Sequence, residues 1–425
     1  MNPIRGAHRS LIPVVALFGA MLMTAAPSAA LAADDEAGPT PIVIFPAFHF
    51  TRLLVTVDGQ TADPACPATG SFEDWFPNSS PSTEFSQVCQ DELLTLRFDR
   101  SHDRPIRDRF RNQRGVDVEI ADYGLTTSAP VYEPMYQMLE GAGYTRDLNI
   151  RVAGYDSRLT PDIGDFLART KELIEDTYRD NGNMPVHLTG HSNGPLYAQW
   201  LLTHTSDRWK AKYIHGFSPI AGNWPGQGGV FPLFFTGLNV TDFTFPTTLE
   251  NAVSSARLYL SAPSTYMSSS NPKVFGDQIV VIEDQSTGTS YTPRDWRKLF
   301  RDAGVPWAKE IADHYLGGVP FTKPSQFPNV DVYAEKGSGL ETLVGMGLPD
   351  LTIGQLTGPS TEFFTRDGDI NQEDITNDSV LVWSAMECFH FSLTDNPGVN
   401  HFELPADPDV VGRLIANANA PRSDC

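Results

Sequence analysis

The chain has 425 residues and a formal net charge of −21, from 52 acidic side chains against 31 lysines and arginines. Such an acidic surface repels nucleic acid and anionic membranes in bulk, so neither is expected as a partner, although contact with neutral lipid through an apolar patch stays open. The length exceeds what one small core needs, and no low-complexity linker divides it, so one large domain with insertions is expected over residues 33–425.

At the N-terminus, Arg5, His8 and Arg9 precede an apolar stretch from Leu11 to Ala25, and Ala30-Leu31-Ala32 forms an A-x-A cleavage site. Residues 1–32 therefore read as a signal peptide, and the product is expected to be secreted. The alternative, a membrane anchor, is disfavoured by the short apolar stretch and by Pro27 after it. Pro41 to Pro46 then reads as a buried strand ending in a turn. Residues 51–114, rich in Pro, Ser and Asp, read as an excursion from the core. A helix is expected over Tyr132 to Leu139 and a strand over Leu148 to Val152. A second helix follows from Ile163 to Tyr178, with Asn181-Gly182 as its stop.

Next comes Gly190-His191-Ser192-Asn193-Gly194, a G-x-S-x-G pentapeptide. It sits between the strand-like Val186 to Thr189 and the helical Pro195 to Leu202, the strand–turn–helix context of a nucleophile elbow. The glycines matter because so tight a turn leaves no room for side chains beside the serine. Strands alternating with helices point to an α/β fold, with a mainly parallel sheet covered on both faces. Farther on, Gly228 to Phe235 is strongly apolar yet flanked by glycines. It is either a buried loop on the core or a mobile lid in which Phe231, Phe234 and Phe235 touch an acyl chain. Val330 to Tyr333 and Glu362 to Thr365 are later strands, and Pro408 to Ala418 is a closing helix.

A serine hydroxyl needs a general base and an orienting acid, which in this order follow as acid and then histidine. His390 and His401 are the late histidines. His390 lies in an alternating, strand-like run, whereas His401 lies in a glycine-containing turn before the last helix, so His401 is taken as the base. The acid falls in the loop from Arg366 to Val380. Asp369 lies just past a strand, and Asp378 is anchored by Ser379-Val380-Leu381, so both remain candidates. EF-hand spacing is absent from this loop, and no cofactor or metal is expected. The oxyanion donors are the backbone N–H of Asn193, after the nucleophile, and that of Phe48, just past the first strand. The four cysteines of an exported chain favour two disulfides, and Cys66–Cys89 with Cys388–Cys425 closes the shortest loops.

Several short motifs in order resemble the lecithin:cholesterol acyltransferase family, which includes lysosomal phospholipase/transacylase. They are Pro46-Ala47-Phe48, the Cys66–Trp75–Cys89 loop, Gly143 to Asp147, Tyr155 to Leu159, Trp209-Lys210, Gly216-Phe217, Trp224-Pro225-Gly226 and Tyr291 to Asp295. The resemblance runs from about Pro41 to Ala418 and implies an α/β-hydrolase fold with cap or lid insertions at about 51–114 and 226–320. It implies lipid acyl-ester hydrolysis or acyl transfer through an acyl-serine, with Trp75 in a disulfide-closed loop that contacts membrane and the acyl chain. A phospholipid or other lipid ester is the expected substrate, a sterol or other alcohol the acceptor, and a membrane or lipid particle the docking surface. The family pattern of Asp-Gly-Asp, one residue, then Thr-Val is interrupted here. Asp367-Gly368-Asp369 and Ser379-Val380 are separated, so the resemblance does not choose between Asp369 and Asp378. The rival readings are a general carboxylesterase or triacylglycerol lipase on the same fold, and a lipid-binding homologue that has lost catalysis.

Overall fold

The computed structural model describes residues 38–59, 66–74, 84–238, 246–318, 326–357, 361–368, 380–423 and 425. The signal-peptide segment, Trp75, Asp369 and Asp378 lie outside them.

A six-stranded sheet organises the molecule. Its order is Phe391–Pro397, Val332–Ser338, Ile214–Ile220, Val186–His191, Ile42–Phe45 and Ile150–Val152. Every neighbouring pair is parallel. The central strands explain why. Ile42–Phe45 and Val186–His191 are buried at every position, which suits strands covered on both faces. Helices supply the cover: Phe166–Asp180 buries Phe166, Thr170, Leu173, Ile174 and Thr177 on one side of itself. Helix Gly194–Thr203 is buried almost all round. Helix Pro408–Ala418 turns Val410, Val411, Leu414 and Ala418 inward and is capped by Asp407, which accepts the N–H groups of Asp409 and Val410.

The chain leaves the first strand for Ile150–Val152 on one side, then for Val186–His191 on the other. That reversal makes a crevice at the carboxyl ends of the strands, where α/β sheets hold their ligands.

Two regions stand off this sheet. Leu53–Asp58 pairs antiparallel with Thr69–Asp74 and with Val116–Ile120, so the first excursion runs on to Ile120 rather than closing at Arg114. The second has its own apolar core, including Phe231, Phe234, Tyr266, Trp296 and Phe300, and a four-stranded sheet. Two of those strands, Ile282–Asp284 and Thr289–Tyr291, fall within 226–320. The other two, Leu340–Leu348 and Glu362–Gly368, come from later in the chain.

Both expected disulfides are present, Cys66–Cys89 and Cys388–Cys425. Among the described residues, no helix is long and apolar enough to cross a membrane.

Helix Gln87–Leu94, which carries Cys89, is tied to helix Leu249–Ser261 through one buried carboxylate. Asp91 accepts from the hydroxyls of Ser254 (2.7 Å) and Ser255 (2.6 Å) and from the Gln87 amide (2.8 Å). Burial outweighs these bonds and pushes the carboxyl from 3.8 up to about 6. The folded chain thus holds this proton more tightly than the unfolded one. The stabilisation is fully present below about pH 4 and is lost as pH rises through 6. Asp91→Asn should remove that dependence. Denaturation midpoints of variant and wild type should diverge between pH 4 and pH 7 by the equivalent of on the order of 3 kcal/mol. Parallel curves over that range would contradict this account of Asp91.

Candidate active site

The pentapeptide forms a sharp turn between Val186–His191 and Gly194–Thr203. Ser192 has a φ of 60°, in the left-handed region that a residue with a Cβ rarely adopts. The flanking glycines are sterically required. A Cβ on Gly194 would lie 2.1 Å from the Phe45 carbonyl oxygen, and one on Gly190 would lie 2.9 Å from the Pro195 nitrogen. The turn is also held by hydrogen bonds. The Ser192 N–H donates to the Ile220 carbonyl (3.0 Å), and the Ser192 carbonyl accepts from the Asn223 N–H (2.9 Å).

Strain recurs around this point. His49 (φ 62°), Ser192 and Ala221 (φ 48°) all have left-handed backbones, and they follow the carboxyl ends of three neighbouring strands. Such strained residues cluster where structure over-determines the backbone for function.

These ends surround one narrow cavity. Ala47, Phe48, Ser192, Asn193, Gln227, Val230, Leu233, Thr265, Ser268, His401 and Phe402 line it. Ser192, His401 and both expected oxyanion residues, Phe48 and Asn193, are therefore brought together. His401 is 3 % exposed and Ser192 7 %, so the site is sheltered from solvent. Asn193 has its side chain committed: its amide nitrogen donates to Ser268 Oγ (2.6 Å), and its oxygen accepts from Asn223 (2.8 Å).

His390 is placed elsewhere. Its N–H donates to Asp331 (2.8 Å), and its ring packs on Tyr333 just before the amino end of Phe391–Pro397. His401 follows the opposite, carboxyl end of that strand.

Gly228 to Phe235 takes the first of its two expected forms, a loop packed on a core: Phe231, Phe234 and Phe235 are fully buried in the second core, where Phe234 packs on Tyr266 and Phe300. The short turns Gly228–Val230 and Leu233–Thr236 point Val230 and Leu233 to the cavity instead. Apolarity alone does not distinguish a ring facing a cavity from one facing a core.

His191 and Tyr132 extend the site in a way the sequence did not suggest. The His401 carbonyl can only accept, so His191 Nε2 carries a proton and donates to it (2.9 Å). His191 Nδ1 then accepts from the Tyr132 hydroxyl (3.2 Å), whose oxygen accepts from the Ala47 N–H (2.9 Å). Burial drives the His191 pKa well below its ordinary value, so the ring is neutral. The chain of bonds is consistent from end to end.

The family model for lecithin:cholesterol acyltransferase matches residues 109–302, a stretch that contains the elbow. Over that stretch the chain is similar to members of that family. It is 28% identical over 320 residues to the mouse lysosomal phospholipase A and acyltransferase, covering 71% of this chain and 72% of that one. It is 25% identical over 385 residues to the rice lecithin-cholesterol acyltransferase-like 1, covering 86% and 83%. Chicken phosphatidylcholine-sterol acyltransferase matches at 26% over 252 residues, 55% of this chain and 57% of that one. A chain in the crystal structure of the Tle4–Tli4 complex superposes with a TM-score of 0.52 at 11% identity. It covers 90% of this chain and 99% of that chain, a likeness of fold. The parallel sheet with an elbow at its centre is an α/β-hydrolase core.

Proposed function

We propose that this chain is an exported, serine-dependent lipid acyl-ester hydrolase and O-acyltransferase. The observation that carries the reading is the left-handed Ser192, clamped by two glycines that admit no Cβ, on the same cavity as His401. A strained elbow serves no packing purpose, which argues against a merely binding homologue.

In this mechanism His401 takes the Ser192 hydroxyl proton as Oγ attacks the acyl carbonyl. The backbone N–H groups of Asn193 and Phe48 receive the oxyanion, the committed side chain of Asn193 fixing the first of them. Collapse releases the alcohol, protonated by His401, and leaves acyl-Ser192. Water then gives a fatty acid, and an alcohol gives a new ester. Asp369 or Asp378 holds the His401 imidazole in the required tautomer. The apolar side of the cavity, Ala47, Phe48, Val230, Leu233 and Phe402, suits an acyl chain. The names of the relatives, phospholipase A and acyltransferase, support a phospholipid donor. Lipid contact through Trp75 rests on the family resemblance.

The test is product analysis with phosphatidylcholine, triglyceride and a short-chain ester, each with and without cholesterol. Fatty acid or acyl-alcohol from phosphatidylcholine is expected. Turnover confined to the short-chain ester or to triglyceride would replace this reading with a carboxylesterase or a triacylglycerol lipase.

A further inference from the structure

One wall of the cavity is polar, made by Gln227, Thr265 and Ser268. Ser268 is occupied: its hydroxyl accepts from Asn193 (2.6 Å) and donates to the Ser264 carbonyl (2.9 Å). Gln227 and Thr265 are different. They are 6 % and 0 % exposed, yet Gln227 Oε1 and Thr265 Oγ1 have no hydrogen-bond partner among the described residues.

Neither residue is loosely held. The Gln227 N–H donates to the Ser268 carbonyl (2.9 Å). Gly226 before it has a φ of 71°, and a Cβ there would lie 1.9 Å from the Ser269 carbonyl oxygen. The Thr265 N–H donates to Ala262 (3.1 Å), and its carbonyl accepts from Ser269 Oγ (2.9 Å). Leaving a buried polar group unpaired costs about 1–3 kcal/mol, a cost that a ligand can relieve when it binds.

The chemistry of the two atoms selects that ligand. An ester offers only acceptors, so its oxygens can satisfy the Thr265 hydroxyl but not Gln227 Oε1, which itself only accepts. A donor is required, and on an acceptor alcohol that donor is a hydroxyl. During transfer, the attacking hydroxyl oxygen bonds to the acyl carbon as the bond from that carbon to Ser192 Oγ breaks. Its proton passes to His401 and then to Ser192 Oγ. The attacking oxygen therefore keeps only a lone pair for the Thr265 hydroxyl, and Gln227 Oε1 calls for a second hydroxyl on the same molecule.

Building on the acyl-serine mechanism above, we propose that Gln227 and Thr265 form a subsite for a diol acceptor. The reacting oxygen accepts from Thr265, and a neighbouring hydroxyl donates to Gln227. An acceptor with a glycerol-type pair of hydroxyls fills both positions, and the single hydroxyl of a sterol or simple alkanol fills one.

The experiment supplies phosphatidylcholine as donor and either 1-O-hexadecylglycerol or hexadecanol as acceptor in identical mixed micelles, and reads the ratio of new ester to free fatty acid. The wild type should use the diol with a ratio about tenfold higher than the alkanol. Gln227→Met should erase that preference. Thr265→Val should lower transfer to both acceptors, whereas Thr265→Ser, which keeps the hydroxyl, should retain it. Equal use of the two acceptors by the wild type overturns the proposal. So does a preference that survives Gln227→Met, or a Thr265→Ser loss as large as that of Thr265→Val, which would mark a packing role. Labelling of Ser192 by a fluorophosphonate separates the levels. A labelled enzyme without diol preference sinks the subsite alone, and an unlabelled, inactive wild type sinks the acyl-serine mechanism with it.

Discussion

Ser192→Ala should reduce acyl-ester turnover by on the order of 10⁵- to 10⁶-fold while leaving the fold intact. Alanine keeps the Cβ that the left-handed turn already accommodates, so the backbone bonds to Ile220 and from Asn223 persist. What disappears is the atom that forms the covalent intermediate in the proposed mechanism. Activity falling to background with unchanged denaturation behaviour, together with loss of fluorophosphonate labelling, is the expected pair of results. A variant that still cleaves phosphatidylcholine at a substantial fraction of the wild-type rate would place the nucleophile elsewhere.

The second large effect concerns the acid. Replacing the carboxylate that orients His401 by the isosteric amide should cost about 10⁴-fold in kcat, because the imidazole is then held in the wrong tautomer. Asp369→Asn and Asp378→Asn should therefore behave very differently: one collapses and the other stays within about tenfold of wild type. The pair assigns the residue directly. Two mild variants would remove both from the mechanism. A shared collapse with altered thermal unfolding would identify the segment as structural.

Much of the sheet and the elbow was legible because their signals are local. Val186 to Leu202 shows a buried strand, two glycines and an apolar helix in succession, and the structure uses each glycine where a side chain has no room. Pro408 to Ala418 carries its period in its own residues and its cap in Asp407 just before them. Leu340–Leu348 was not legible as a strand. Its Gly345 and Gly347 look like punctuation, whereas Gly345 is needed because a Cβ there would lie 2.0 Å from the Val280 carbonyl oxygen. Gln227 and Thr265 left no trace in the sequence either. Being buried without a partner is a property of tertiary surroundings, and one residue follows a Trp-Pro-Gly turn while the other sits in a run of small polar residues. The Asp369 and Asp378 alternatives persist because both lie outside the described residues.

The hydrogen bond from His191 to the His401 carbonyl has a mechanical consequence. It ends on main chain rather than on the imidazole, so it fixes where the histidine loop stands without spending either ring nitrogen of His401. His191 is the immediate chain neighbour of Ser192, and the bond spans 210 positions of sequence. The two loops are thereby geared together: a displacement of the elbow carries the histidine loop with it, so the spacing between Ser192 and His401 is held by main chain.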